Sequence, residues 1–390
     1  MPVDVKPIAP ALEAARAVAP LAAERAGQSE RDRRLVPEVV AALREAGLFR
    51  LCVPRSLGGA EASPAELVAA MEELGGADGS TSWCVAVAAT SGALAAYLPE
   101  ADARDVYGEP TGCVGGVFAP KGRAVAVPGG YRVTGRWPFT SGVDHSDWLM
   151  GGCLVEDDGD IRVLDGGIPD IRLMLMPSSD VEVIDTWTVS GLCGTGSHDI
   201  QVSDLMVPAG RSASLFGDVP RERGPLYAFP TFGLLSLAIS AVALGIARGA
   251  VDDLLHLAEG KLPTLQTKPL AAQADTQLRM AKAETALRAA RALVNETIDE
   301  TWQRVSAGGE VTLRDRAALR MAASHAMTSA AGVVDEMYSL GGGTSIYATS
   351  PLERRFRDVH AATQHVLVGS SVWQTAGRVL LGQQVRPEQL

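Results

Sequence analysis

The sequence predicts an α+β chain of three parts: a helical domain over residues 1–110, a β-barrel over 111–218 and a four-helix bundle over 219–390. Three observations predict it. Apolar residues recur at helical spacing in the first and last parts. Between them Val, Gly, Asp and Trp rise, and short alternating runs replace the helical period. The chain has 390 residues, 47% apolar and 21% charged, which is enough apolar content to bury large cores and enough length for two or three domains.

In the first part Leu12, Ala15, Val18, Leu21 and Ala22 recur at roughly helical spacing, as do Val36, Val40, Leu43 and Leu48. Pro20 falls inside the first of these runs, where it is expected to kink or break a helix. Ser63-Pro64 caps a helix that continues to Leu74, with proline in its first turn. Residues 80–98 read as one fully buried helix. In the middle part, residues 123–127, Gly129-Gly130 and residues 131–133 predict a hairpin. Further strands are expected at 148–155, 161–164, 172–176, 181–186 and 198–206, with turns such as Asp157-Asp158-Gly159 between them. The last part reads as four long helices at 234–260, 271–307, 313–340 and 355–381, the pattern of a bundle.

Composition excludes several classes. With 35 basic and 46 acidic residues the net charge is −11, which argues against nucleic-acid binding. Cys52, Cys84, Cys113, Cys153 and Cys193 lie far apart with no CxxC pair, so neither a zinc site nor a disulfide scaffold is expected. Buried thiols and no bound metal are expected instead. Residues 1–26 carry Asp4, Glu13 and Glu24 and lack the apolar core of a signal peptide. Residues 84–98 are too short to span a bilayer. Residues 231–247 are uncharged but rich in Ala, Ser and Gly, and read as a buried helix. A cytoplasmic protein without membrane contact is expected.

Four stretches are candidates for chemistry. Gly135-Arg136-Trp137-Pro138-Phe139-Thr140-Ser141-Gly142 sets two aromatics and two hydroxyls at a strand end. A planar cofactor wants such a wall, yet an ordinary strand with core aromatics has the same composition. Residues 339–347 hold Gly341-Gly342-Gly343, which permits close backbone approach to a ligand and equally suits a plain inter-helix loop. No strand precedes it and it is not a GxGxxG, so a dinucleotide fold is excluded. His360 and His365 lie five residues apart, about 140° around a helix, which disfavours a two-His metal site. Residues 185–199 are rich in glycine and hydroxyls, and suit either a cradle for oxygens or a pair of β-turns.

Taken in order, and together with residues 49–54, Gly58-Gly59, 77–83 and 118–124, these stretches resemble the acyl-CoA dehydrogenase superfold. More closely they resemble the flavin-dependent monooxygenases built on it, the oxygenase components of two-component hydroxylases (group D). The resemblance covers residues 36–381. It implies reduced flavin (FADH2 or FMNH2) and molecular oxygen as co-reactants, a homotetramer with flavin between barrel and bundle, and a separate NAD(P)H-dependent flavin reductase. It implies Phe118, Trp137, Phe139, Thr140, Ser141 and Ser197 around the flavin, with Ser141 bonded to N5. Gly342 and Gly343 resemble glycines that approach flavin from a neighbouring subunit, and Gln277 belongs to the same interface. His365 matches the active-site histidine of these hydroxylases and is, with Ser141, the implied catalytic residue. Trp83, Ser91 and Tyr347 are implied for the substrate pocket. Ser91 stands near where such enzymes often carry a second histidine, which favours an indole or a polycyclic natural product over a simple phenol.

The superfold also serves dehydrogenases, which need a carboxylate base to take an acidified α-proton. Residues 363–367 contain no acid, and residues 224–250 contain no Asp or Glu. The expected function is therefore hydroxylation of an aromatic or polycyclic substrate through a C4a-hydroperoxyflavin. An acyl-CoA dehydrogenase, a flavin oxidase and a non-catalytic flavin-fold subunit are the alternatives.

Overall fold

The computed structural model describes residues 10–390; residues 1–9, with Asp4, lie outside the described residues. The chain opens with α1 (Ala11–Asp32) and α2 (Pro37–Glu45), followed by α3 (Pro64–Ala77), α4 (Gly79–Ser91) and α5 (Glu100–Tyr107). Pro20 does not end α1: it lies on the exposed face, while Ala11, Ala15, Val18, Ala22 and Ala26 are buried on the other. A capping box starts α3, in which Glu66 N donates to Ser63 Oγ at 3.3 Å and Ser63 N donates to the Glu66 carboxylate at 2.8 Å. Asp78 caps α4 by accepting from Thr81 N at 2.8 Å. The helix expected over 80–98 divides at Ser91, and a 3₁₀ segment, Gly92–Tyr97, continues it.

The strands are β1 (Val114–Val127), β2 (Gly130–Thr140), β3 (Trp148–Asp157), β4 (Asp160–Ile161), β5 (Val163–Leu164), β6 (Ile168–Pro169), β7 (Ile171–Pro177), β8 (Glu182–Ile184), β9 (His198–Pro208) and β10 (Ser212–Ala213). The predicted hairpin is β1–β2, antiparallel, with Val127 opposite Gly130. The strand order is β10-β7-β3-β1-β2-β9-β8, with β4 on β3; β1 and β3 run parallel, and β5–β6 form a separate pair. This corrects the expected barrel. Among the described residues the sheet is open, with β10 and β8 as unpaired edges. Closure would require those edges to bond to each other, and strands of two and three residues offer few groups for it. Alternation along a strand reveals its faces but not whether its sheet closes.

The sheet's core centres on Trp137, which is fully buried and donates Nε1–H to Gly152 O at 2.7 Å. A Cβ on Gly122, Gly135 or Gly151 would fall 2.3, 2.7 and 2.7 Å from its indole, so three glycines cradle one ring.

The chain then forms α6 (Pro225–Ala228), α7 (Thr231–Gly260), α8 (Ala274–Ser306), α9 (Leu313–Gly341), α10 (Pro351–Ala362) and α11 (Ser370–Leu380). The fourth long helix expected over 355–381 is thus two shorter ones. His365 breaks it by capping a 3₁₀ turn, Val366–Val368, and Gly369 precedes α11. α7 is long and apolar enough to cross a membrane, but 94% of its most apolar window is buried inside the protein. It packs on α3 at Gly75 and Gly245, where a Cβ on Gly245 would lie 2.3 Å from Glu72 O. One apolar core runs through α1, α3, α4, α7, α8 and α9, so the N-terminal helices and the bundle share an interior.

Candidate active site

A chain of buried hydroxyls joins the helices to the sheet. Trp83, on α4, donates Nε1–H to Ser141 Oγ at 3.1 Å, just past the end of β2. Ser141 Oγ lies 2.8 Å from Ser197 Oγ, which lies 2.7 Å from Thr195 Oγ1. Thr195 Oγ1 donates to Leu192 O at 2.8 Å. Gly142 N donates to Thr195 O at 2.8 Å, which pins the two loops together. Ser141, Thr195 and Ser197 are all buried.

His365 sits against the same tryptophan, with ring centroids 5.7 Å apart and an edge-to-face angle of 66°. Its Nδ1 accepts from Leu367 N at 3.2 Å, so the neutral ring carries its proton on Nε2. Burial, and secondarily the Arg320 guanidinium, pull its pKa down to about 4. Arg320 is itself buried and is held by the carbonyls of Leu367 and Leu390 at 3.1 and 3.3 Å. The site therefore holds an uncharged imidazole at neutral pH. His360, by contrast, is half out in solvent and pairs with Asp335 at 2.8 Å.

The loop of residues 191–197 is anchored from α10. Asp358 Oδ1 accepts from Leu192 N at 2.6 Å, and Leu192 has φ 53°, a left-handed conformation costly for leucine. Burial, then the nearby Asp78 carboxylate, push Asp358 up to about 7, with the Leu192 amide, Arg354 and Arg357 opposing.

The aromatics divide differently from the sequence expectation. Trp137 belongs to the sheet core, as described, and is closed off from any ligand in this arrangement. A register shift between Trp137 and Thr140 turns the chain, and Phe139, at φ 68°, emerges 68% exposed. It meets half-buried Trp187 edge to face at 6.2 Å. Arg33 fixes Trp187 by donating to its carbonyl at 3.2 Å. Thr140 is fully buried and donates to Trp137 O at 3.3 Å. Phe118 is half-buried against an apolar cluster under β1. Ser91 is buried and its hydroxyl donates back to Val87 O at 2.8 Å, so it does not offer a free hydroxyl to a pocket.

The bundle residues stand apart. Gln277 is exposed and donates to Ala271 O at 3.0 Å. Gly342 and Gly343 are exposed, and Tyr347 is 65% exposed. Among the described residues no hydrogen bond joins any of them to the Ser141 cluster. A cleft of about 220 Å³ lined by Arg33, Arg34, Asp144, Asp185 and His198 shares no residue with the hydroxyl chain. Sequence reasoning did not single out Thr195, Trp187, Arg320 or Asp358. The hydroxyl and glycine content of 185–199 was the available signal for two of them.

The residues suit a reduced flavin. Phe139 and Trp187 are an aromatic pair open at the surface, Phe139 stands two residues before the Ser141 hydroxyl, and the histidine against Trp83 is uncharged. The comparisons agree with this chemistry. Residues 12–102 match the family described as "Acyl-CoA dehydrogenase, N-terminal domain", and residues 237–369 match "Acyl-CoA dehydrogenase, C-terminal domain". The chain is 35% identical over 370 residues to an indole-3-acetate monooxygenase of Pseudomonas putida, covering 93% of this chain and 91% of that protein. It is 31% identical to the flavin-dependent monooxygenase oxygenase subunit HsaA of Mycobacterium tuberculosis, covering 88% and 87%. The solved structure of XiaF from Streptomyces sp., in complex with FADH2 and glycerol, superposes with a TM-score of 0.88 at 25% identity, covering 96% and 95%. The acid-free stretches that disfavour a dehydrogenase, the uncharged histidine and these likenesses converge: the chain belongs to the flavin-dependent monooxygenases of the acyl-CoA dehydrogenase superfold.

Proposed function

We propose that the protein hydroxylates an indole-type or polycyclic aromatic substrate as the oxygenase component of a two-component system. Reduced flavin, when bound, supplies the electrons that activate molecular oxygen. Phe139 and Ser141 hold it, with Trp187 beside Phe139 and Ser197 behind Ser141, and Ser141 meets N5. The single observation that carries the substrate assignment is the pairing of Trp83 with an uncharged His365. The Nε2–H of His365 has no hydrogen-bond partner among the described residues, and it is a donor for a polar atom of an aromatic ligand lying by Trp83. A neutral donor suits a substrate whose own charge lies elsewhere: it orients a polar atom by a hydrogen bond without bringing a charge into the site.

Assembly and supply belong to the same reading. Leu265, Leu278, Ile346, Tyr347 and Val366 are more than half exposed on the C-terminal part, which supports burial of this face in a homotetramer. There Gly342, Gly343 and Gln277 reach the flavin of a neighbouring subunit. The apolar stretch of α7 plays no part in that face, since the chain covers it itself. A separate NAD(P)H-dependent reductase delivers the reduced flavin in the cytoplasm.

The test combines a flavin reductase, NAD(P)H, indole-3-acetate as probe and isotopic oxygen gas. Heavy oxygen is expected in the product. His365→Ala is expected to lower product formation by ~10²–10⁴-fold while reduced flavin still binds; His360→Ala is expected to act weakly. Oxidation of an acyl-CoA without oxygen incorporation, or loss of turnover at 360 but not at 365, overturns the reading.

A further inference from the structure

The hydroxyl chain has a direction that its end groups dictate. An indole N–H only donates and a backbone carbonyl only accepts. Trp83 Nε1 stands at one end and Leu192 O at the other, with Ser141, Ser197 and Thr195 between. Four hydrogen bonds need four protons, and the indole and three hydroxyls supply four. Only one assignment satisfies all of them. Thr195 donates to Leu192 O, so Ser197 must donate to Thr195, and Ser141 must donate to Ser197. Ser141 Oγ then accepts from Trp83, has its own proton committed to Ser197, and keeps one lone pair.

Reduced flavin bears a hydrogen on N5, whereas oxidised flavin presents a lone pair there. We propose that Ser197 and Thr195 act as positioning residues that hold the Ser141 oxygen as a hydrogen-bond acceptor, so that the site selects reduced over oxidised flavin. This rests on the reading that places N5 at Ser141. Reduced flavin extends the chain by donating into the free lone pair. Oxidised flavin either faces that lone pair unbonded or must draw the Ser141 proton away from Ser197. Burial makes that choice matter, because an unsatisfied polar atom there is not rescued by water. The selection suits an enzyme that receives its flavin already reduced.

Two substitutions release the Ser141 proton by different routes. Ser197→Ala removes its acceptor. Thr195→Val removes the acceptor of Ser197, which then donates back to Ser141; the change is nearly isosteric, and Leu192 O keeps the amide of Thr195 at 3.1 Å. The experiment is equilibrium titration of the full-length protein with oxidised FAD and FMN in air, and with the same flavins reduced without oxygen. Both variants are expected to bind oxidised flavin roughly three- to tenfold more tightly, the worth of one neutral hydrogen bond, and reduced flavin about as before. A tenfold fall in the preference for reduced flavin appears as a fall of ~30 mV in the potential of the bound flavin. Ser141→Ala is expected to weaken reduced flavin and to abolish the effect of Thr195→Val in the double variant. If Ser141→Ala weakens reduced flavin but neither other variant moves the ratio, the directional chain is refuted and the flavin site stands. If Ser141→Ala changes neither affinity, the placement of N5 at Ser141 fails, and the inference falls with it.

Discussion

Lowering the pH should destabilise the protein through His365, and the structure sets the size of the effect. In the unfolded chain an imidazole takes up its proton near pH 6.5, but in the fold His365 does so only near pH 4. Between these values the unfolded state binds the extra proton and the folded state does not, so stability falls as pH drops. The shift is about 2.5 pH units, worth roughly 3 kcal/mol when fully expressed, of which about 2.5 kcal/mol is felt by about pH 4.5. His145 is lowered to about 4 as well, and Asp358 acts in the opposite sense, so the wild-type curve alone mixes three groups. The variant His365→Asn isolates one. Asparagine keeps an oxygen to accept from Leu367 N and cap the turn, but does not titrate. Urea unfolding of both proteins at about pH 7.5 and about pH 4.5 is the assay. The variant should gain about 2–3 kcal/mol on the wild type between the two conditions. Parallel behaviour, or a ring-nitrogen NMR titration of His365 centred near pH 6.5, would refute a half-buried imidazole kept neutral by its surroundings.

Three further outcomes follow from the packing and the charges. Trp137→Ala should cost about 3–5 kcal/mol in urea unfolding, because it empties the glycine cradle and removes the donor to Gly152 O; a loss under about 1 kcal/mol would mean that the cradle collapses around the gap. Gly245→Ala should cost about 1–3 kcal/mol, since its Cβ meets the backbone oxygen of Glu72 rather than a movable side chain; an unchanged melting temperature would show that α3 and α7 slide apart freely. Asp358 is protonated in the fold up to about pH 7 while its unfolded counterpart ionises near 4, so its contribution to stability falls as pH rises through that window. Asp358→Asn should remove that slope from the pH dependence of the urea midpoint, and an unaltered slope would place the titration elsewhere.

The parts legible in the sequence were those written in local patterns. The Ser63–Glu66 cap, the turn between Val127 and Gly130 and the apolar run of α7 each declare themselves within a few residues. What failed was set by distance or by parity. Open versus closed depends on which edges meet, and β8 and β10 carry no mark of it. Trp137 and Phe139 are two residues apart and should share a face, but the irregularity before Thr140 puts one in the core and the other in solvent. The break at His365 involves no proline; it depends on a histidine side chain accepting a backbone N–H, which helical periodicity does not register. The hydroxyl chain unites positions 83, 141, 195 and 197, and only the last two are neighbours. The family pattern pointed to Ser141 and Ser197, but the bonds between them had to be seen.

The shared interior of the first and last helices has a consequence for synthesis. α4 is buried on nearly every side, and its cover includes α7, which begins about 140 residues later in the chain. At translation speeds of roughly 5–20 residues per second, the completed α4 waits about 7–30 s on the ribosome before that cover exists. The sheet between them is made in the meantime, but it does not replace the missing helix. The nascent protein therefore presents a sticky half-core throughout that interval. Its yield in a cell should depend on holding chaperones far more than its finished stability would suggest, and slowing translation across the strands should lengthen the exposure rather than relieve it.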